Sequence, residues 1–415
     1  MRILIYIEPA IFRHDPLFLA PHVQGWALPM LQAHNSQGFT WSFASSAALC
    51  ELARHHAPAL PAFAIPSWSI LSACGYRRDG YSLALFDPDA AQRAITGQAP
   101  LAPLAEQLQA INQAVQPELV IATAQNSLLP LAFPQARCLW MEQAPLPRLK
   151  KRGRIYLDPC GHQWGSVLEQ AADRIRKLTI HLADQERAEA LWQTMLAPEE
   201  SRQTAAQQVR QAIRDRAGGR RVALLVLQPP DWLSWEGCLG APITPDALLA
   251  QWAAALPEGW VGIPLYHPHS RLPAVLEASL AAEFSQLATL PPELSGNVAE
   301  WALPEADAVV AVSSSVAAHA LISGKQVVVC GRSPLQAFAA TSLDALADPA
   351  PSLTRQQRLA LLAFLSHRYS LPLAALRDPN GPLPDHLRAL AATPDPIAWL
   401  LDLSSWTPDR LALLG

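Results

Sequence analysis

Residues 308–320 read "AVVAVSSSVAAHA": five small apolar residues, three serines, then a pattern of helical type. The run continues as "LISGKQVVVCG" to residue 331, so a helix ending near Gly324 feeds a second Val-rich stretch. Valine runs without polar alternation suit strands buried on both faces, and strand, helix, strand in succession predicts a βαβ unit. Further strands are predicted at 221–228 ("RVALLVLQ") and 260–267 ("WVGIPLYH"), and in the first half at 2–8 ("RILIYIE"), 118–124 and 137–143. Residues 101–116 between them have helical periodicity. One serine is enough to cap a helix, so three in a row ask for a further explanation.

The 415 residues are 50% hydrophobic and 16% charged, with a net charge of −4. A single core stops growing at roughly 250–300 residues, so this chain predicts two domains. A long helical region over 166–216, closed by Gly218 and Gly219, separates the two strand-rich halves. The expected organisation is α/β throughout: a first domain over 1–185, a helical linker over 186–219, a second domain over 220–390, and a terminal segment over 391–415 returning toward the first. In that last segment, 395–406 reads as one amphipathic helix. A cleft between the two domains is expected to hold the site.

Nothing in the charge balance points to nucleic acid. The most apolar stretch, 308–330, is broken by serines, His319 and Lys325, short of the roughly 18 residues of a membrane span. The opening "MRILIYIEPA" reads as a buried strand rather than a signal peptide. Cysteines stand at 50, 74, 138, 160, 238 and 330 without a CxxC pair, which suits buried thiols rather than a disulfide framework or zinc site.

Three strand ends in the second half carry polar groups. Ser313, Ser314 and Ser315 open a helix whose backbone N–H groups and dipole attract phosphate; plain capping is the competing reading. His267, fixed by Pro268, closes the strand before "HPHS", where ligands of open α/β sheets sit; a strand-end histidine satisfied by backbone is the alternative. His269 is given no role. "LQPPDWLSWEG" (227–237) places Gln228 and then Asp231 on a proline-stiffened turn beside Trp232 and Trp235. That carboxylate suits a nucleophile or base, or an ordinary turn.

A "QP" turn, an "HP" turn and an "SS" turn in this order, followed by "GKQVVVCG", resemble the bacterial retaining β-Kdo transferases of capsule and O-antigen assembly, which use CMP-linked 3-deoxy-D-manno-octulosonic acid. "EQAPLPR" (142–148) and "YLDPCG" (156–161) fit that pattern more loosely. The resemblance implies a GT-B fold of two Rossmann-like domains facing across a cleft. It implies that Ser313–Ser315 and His267 hold the CMP phosphate, that Gln228 and Pro268 also belong to the donor-binding site, and that Asp231 is the carboxylate nucleophile of a double displacement. Related enzymes carry Glu on the helix after the serines; His319 stands there, and a core-facing histidine is expected instead. No metal is expected, since a monophosphate leaving group can be held by N–H groups, hydroxyls and a histidine.

On the acceptor side, Glu142 is the candidate to deprotonate the acceptor hydroxyl, with Asp158 as alternate. Arg148, first of the basic run "RLKKRGR" (148–154), is the candidate for the sugar carboxylate, against a solvated loop. Glu8 and His14 in "EPAIFRHDP" (8–16) also follow a strand and could face the acceptor. Partners implied are CMP-Kdo and a glycan or lipid-linked glycan, in the cytoplasm, with room for peripheral association at the inner face of the inner membrane through other domains or partners. A CMP-sialic acid-dependent sialyltransferase, a catalytically silent binding module and a UDP-sugar epimerase are the rival readings.

Overall fold

The Val- and Leu-rich runs fold as strands that are buried almost from end to end, as parallel sheets covered on both faces require. The structure is a computed structural model describing residues 1–8, 17, 19–65, 85–98, 101–147, 153–230, 233–241, 243–267, 270–294 and 298–409. Its strands are β1 (Arg2–Tyr6), β2 (Thr40–Ser45), β3 (Ala62–Ala64), β4 (Leu119–Ala122), β5 (Arg137–Gln143), β6 (Arg154–Asp158), β7 (Arg221–Val226), β8 (Trp260–Leu265), β9 (Ala308–Ala311), β10 (Gln326–Val329) and β11 (Ser370–Pro372).

They form two sheets. The first has the order β11-β6-β5-β4-β1-β2-β3. Its parallel part runs β3-β2-β1-β4-β5, the strand order of a Rossmann half, and β6 adds antiparallel to β5. The second sheet, β10-β9-β7-β8, is parallel throughout. Both are doubly wound, so the expected fold of two Rossmann-like α/β domains is the one found.

The domain limits differ from those expected. One unit comprises Met1–Gln143, Ile155–Val167 and Tyr369–Trp399; the other comprises Ala144–Arg154, Leu168–Arg368 and Leu400–Gly415. The stretch expected as the end of the first domain and a linker is therefore part of the second unit from Leu168 onward. Its helices Leu182–Leu196 and Gln203–Ala217 bury Trp192, Val209 and Ile213 there, and the latter ends at Gly218, whose φ of 55° is a left-handed cap. The return to the first unit begins at Tyr369 rather than near 391. β11 extends the first sheet, and Leu383, Leu387 and Leu390 join its core beside Ile3, Ile5 and Leu119.

The tail helix is also shorter than predicted, covering Pro396–Leu401. Asp402 then accepts the Ser404 N–H at 3.0 Å, a turn that diverts the backbone from helix. Trp406 docks by donating to Ser366 Oγ at 3.1 Å. Of the six cysteines, the five described are thiols that form no disulfide. Among the described residues, no helix is long and apolar enough to cross a membrane.

Candidate functional site

In the second unit, sheet register decides which strand ends share a level. Val226 at the end of β7 pairs with both Leu265 on β8 and Ala311 on β9. Gln228, His267 and Ser313 each lie two residues beyond that row, so the three emerge level at the carboxyl edge. The chain passes from β7 to β8 on one side and then to β9 on the other, so β7 and β9 flank the topological switch point, where such sheets open a crevice for ligands.

Gln228 and Ser313 meet across that point. Gln228 Oε1 accepts the Ser313 N–H at 3.1 Å and the Ser313 hydroxyl at 3.2 Å. The Ser313 hydroxyl also touches the Cys238 thiol, which burial pushes up to about 12, so the thiol stays protonated and inert. Ser314 Oγ accepts the Val316 N–H at 3.3 Å. Ser315 is the N-cap of the helix Val316–Ile322, yet its side chain makes no capping bond. Capping therefore explains one serine and the Gln228 tether another. Ser315 is left half-buried at the edge with its hydroxyl available, and the Ser314 O–H is likewise a donor beside it.

His267 leaves β8, on the other side of β7 from β9, so two strand spacings of about 5 Å each separate its strand from that of Ser313. It is half-buried, and its carbonyl accepts the Ser270 N–H at 2.9 Å, closing a turn. His319 faces the core as expected: it is 2% exposed, edge-on to Trp192 and 3.5 Å from the Glu300 carboxylate. Trp235, expected as a wall of the site, is instead a core residue, 1% exposed, with its indole N–H donated to the Ile243 carbonyl at 2.6 Å. Asp231, Trp232, Pro268 and His269 lie outside the described residues.

In the first unit the same construction recurs. Tyr6 pairs with Ala122, and Ala122 with Trp140, so Glu8 and Glu142 each stand two residues past one level row. The reversal of strand order falls at β1 and β4, and the groups there are joined. Glu8, 1% exposed, accepts from the Tyr6 hydroxyl and from Asn126 Nδ2, both at 2.9 Å on Oε2. Asn126 Oδ1 accepts the Leu128 N–H at 2.9 Å, which fixes the amide's orientation. Burial and then the Glu8 charge hold the Tyr6 phenol well above its ordinary range, so it remains a donor. Glu142 is half-buried and accepts the following backbone N–H at 2.7 Å.

Asp158 has a different task from the one expected. It is wholly buried, and four donors converge on it: Cys160 N–H and Gly161 N–H on Oδ1, Val167 N–H and the Tyr369 hydroxyl on Oδ2. With both oxygens taken, it holds the loop 158–167 and fastens the returning chain at Tyr369. Beside it, His162 Nδ1 bonds the Tyr156 hydroxyl at 2.8 Å, and burial lowers its pKa to about 4, so the imidazole is neutral. Gln125 Oε1 accepts the backbone N–H of His162 at 2.7 Å. Tyr6, Asn126, Gln125 and His162 were not singled out from sequence. Their signal was "ATAQNS" (122–127), two amides directly after a buried strand. His14 and Arg148 lie outside the described residues.

No family model and no curated protein matches the chain. Among solved structures it is similar to the KpsC beta Kdo 2,7 transferase of Thermosulfurimonas dismutans, with 16% identity over 69% of this chain and 89% of that one, at a TM-score of 0.45. It is also similar to the glycosyltransferase SnogD from Streptomyces nogalater (14% identity, 94% and 100% covered, TM-score 0.34). A third is the UDP-GlcNAc 2-epimerase from Neisseria meningitidis (11% identity, both chains covered in full, TM-score 0.30). The fold assignment rests on the chain's own strand order and register.

Proposed function

We propose that the chain is a glycosyltransferase of the GT-B class that transfers β-Kdo from CMP-Kdo to a glycan acceptor with retention of configuration. The observation that carries the reading is the level set of Gln228 and Ser313 at the switch point of the second sheet and His267 on the next strand, with the hydroxyls of Ser314 and Ser315 as donors. Such a row suits a phosphate, which needs several convergent donors and little steric bulk. The choice of CMP-Kdo rests on the likeness of the QP, HP and SS turns to the β-Kdo transferases.

In this mechanism the serine hydroxyls and His267 bear the negative charge that grows on CMP as the bond to the anomeric carbon breaks. The carboxylate of Asp231 forms a new bond to that carbon. The acceptor oxygen then displaces Asp231, restoring the original configuration, while its proton passes to a carboxylate. Glu142 is the proposed recipient. Asp158, with all its acceptor sites occupied, is no longer proposed for that step.

Calorimetry with CMP, CDP, UDP and UMP, with and without EDTA, tests the donor site. CMP should bind best and without metal, and His267→Ala should weaken it by about 1–3 kcal/mol, the loss of a hydrogen bond to a charged group. Asp231→Asn should retain CMP binding and lose transfer, and wild-type protein given CMP-Kdo without acceptor should gain the mass of one Kdo on the peptide containing Asp231. Preference for a uridine nucleotide, dependence on magnesium, or equal turnover with CMP-sialic acid would overturn the assignment.

A further inference from the structure

Next to the His267 turn in sequence lies an ion pair between a half-buried Arg271 and a buried Glu277 that the donor site does not itself use. Arg271 follows the turn, and its Nε and Nη2 both donate to Glu277 Oε2, at 3.3 and 2.9 Å. Glu277 belongs to the first turn of the helix Ala274–Glu283 and is 4% exposed. The Arg271 guanidinium also lies over the Tyr266 ring, 5.5 Å from its centre, and Tyr266 immediately precedes His267. Both shoulders of the turn, residues 266 and 271, are thus gathered on one carboxylate, while the backbone bond from Ser270 to His267 closes the turn between them.

Fold stability alone gives little reason for this arrangement. Replacing a buried ion pair with apolar side chains is often neutral or stabilising, and the better-attested use of such pairs is to fix geometry. Glu277 is 4% exposed, and burial, then the Glu277 charge and a hydrogen bond to it, push the Tyr266 phenol above its ordinary range, so Tyr266 and Arg271 both face the one carboxylate. Taking that charge out of water is a cost that a leucine at 277 would not carry.

We infer that Glu277 is a positioning residue for donor binding: by holding Arg271 and, through it, the Tyr266 ring, it fixes the His267 turn at the carboxyl edge of the sheet. This rests on the reading of His267 as a donor-site residue. The planar fork of Arg271 matters as much as its charge, because a lysine cannot place two N–H groups on one oxygen and also cover the ring.

A double-mutant cycle in CMP affinity tests the inference, with thermal unfolding as the check on folding. Glu277→Gln and Arg271→Lys should each weaken CMP binding by about three- to tenfold, while adding Glu277→Gln to His267→Ala should weaken it no further. Arg271 is partly solvent-exposed, so Arg271→Lys keeps the test valid if Glu277→Gln does not fold. Unchanged affinity in the folded single variants overturns the inference, as does an equal loss with and without His267, which would mark general loosening. If His267→Ala itself leaves CMP affinity unchanged, the donor-site reading falls and this inference falls with it; if only the Glu277 and Arg271 variants are silent, the donor site stands alone.

Discussion

Replacing Asp158 by Asn separates a structural carboxylate from a chemical one, and the structure sets the size of the effect. Burial pushes the Asp158 pKa from 3.8 up to about 6, against the lowering influence of three backbone N–H groups and the Tyr369 hydroxyl. With the folded pKa above the unfolded one, the folded protein holds the extra proton. Its contribution is present in full below about pH 4 and is lost as pH rises through about 6. A rise of about two units corresponds to about 3 kcal/mol. For a unit of this size that is a shift of about 6–12 °C in its melting transition. Asn is neutral at every pH and its oxygen can still accept the Cys160 and Gly161 N–H groups, but its NH2 group cannot accept from Val167; that loss is the same at every pH and leaves the pH dependence as the readout. Thermal unfolding of both proteins from pH 4 to pH 8, followed on the transition of the first unit, should therefore show the wild type losing ground to Asp158→Asn by about that margin across the window. Folded Asp158→Asn should still transfer sugar. Parallel melting profiles would refute the linkage argument, and a folded variant without turnover would return Asp158 to the chemistry.

Two further substitutions probe the switch point of the second sheet. Gln228→Ala removes the acceptor of the Ser313 N–H and hydroxyl and should cost about 1–3 kcal/mol in denaturant unfolding while also weakening CMP in calorimetry; loss of stability with unchanged CMP affinity would take Gln228 out of the site. Gly331→Ala would place a methyl 2.8 Å from Val312 Cγ1 and 3.0 Å from the Cys238 carbonyl. The first is a stiff β-branched side chain and the second a backbone group engaged with the Arg332 N–H. The expected loss is about 1–3 kcal/mol, with weaker CMP binding as the strand end shifts, and a wild-type unfolding curve would show that the neighbours yield.

The strands that could be read from sequence are those buried on both faces. β7, β8, β9 and β10 are continuous apolar runs, and β7 and β8 were found within two residues of their expected ends. β2, "TWSFAS", was missed because polar residues alternate with Trp41 and Phe43, although Ser42 and Ser45 are buried with the rest. β3 has only three residues and no periodicity to detect. The return of 369–399 to the first sheet was missed for another reason. Leu383, Leu387 and Leu390 announce a buried helix face, but local pattern says nothing about which of two cores receives it.

Site residues follow the same division between local and long-range information. A polar residue at or just past the end of a buried strand is visible in sequence, which is why Gln228, His267, Ser313, Glu8 and Glu142 could be named. What they meet is set by register: the rows Leu265–Val226–Ala311 and Tyr6–Ala122–Trp140 make these residues level, and no spacing along the chain encodes that. Asp158 shows the opposite error. In "DPCG" an aspartate accepts N–H groups two and three residues on, the habit of a turn carboxylate, and that local signal outweighs its place beside a strand. A carboxylate is available for chemistry only where its neighbours leave an oxygen uncommitted. By that criterion Asp158, with all its acceptor sites occupied, belongs to the architecture of the first unit, whereas Ser315, an N-cap whose side chain makes no capping bond, keeps its hydroxyl available.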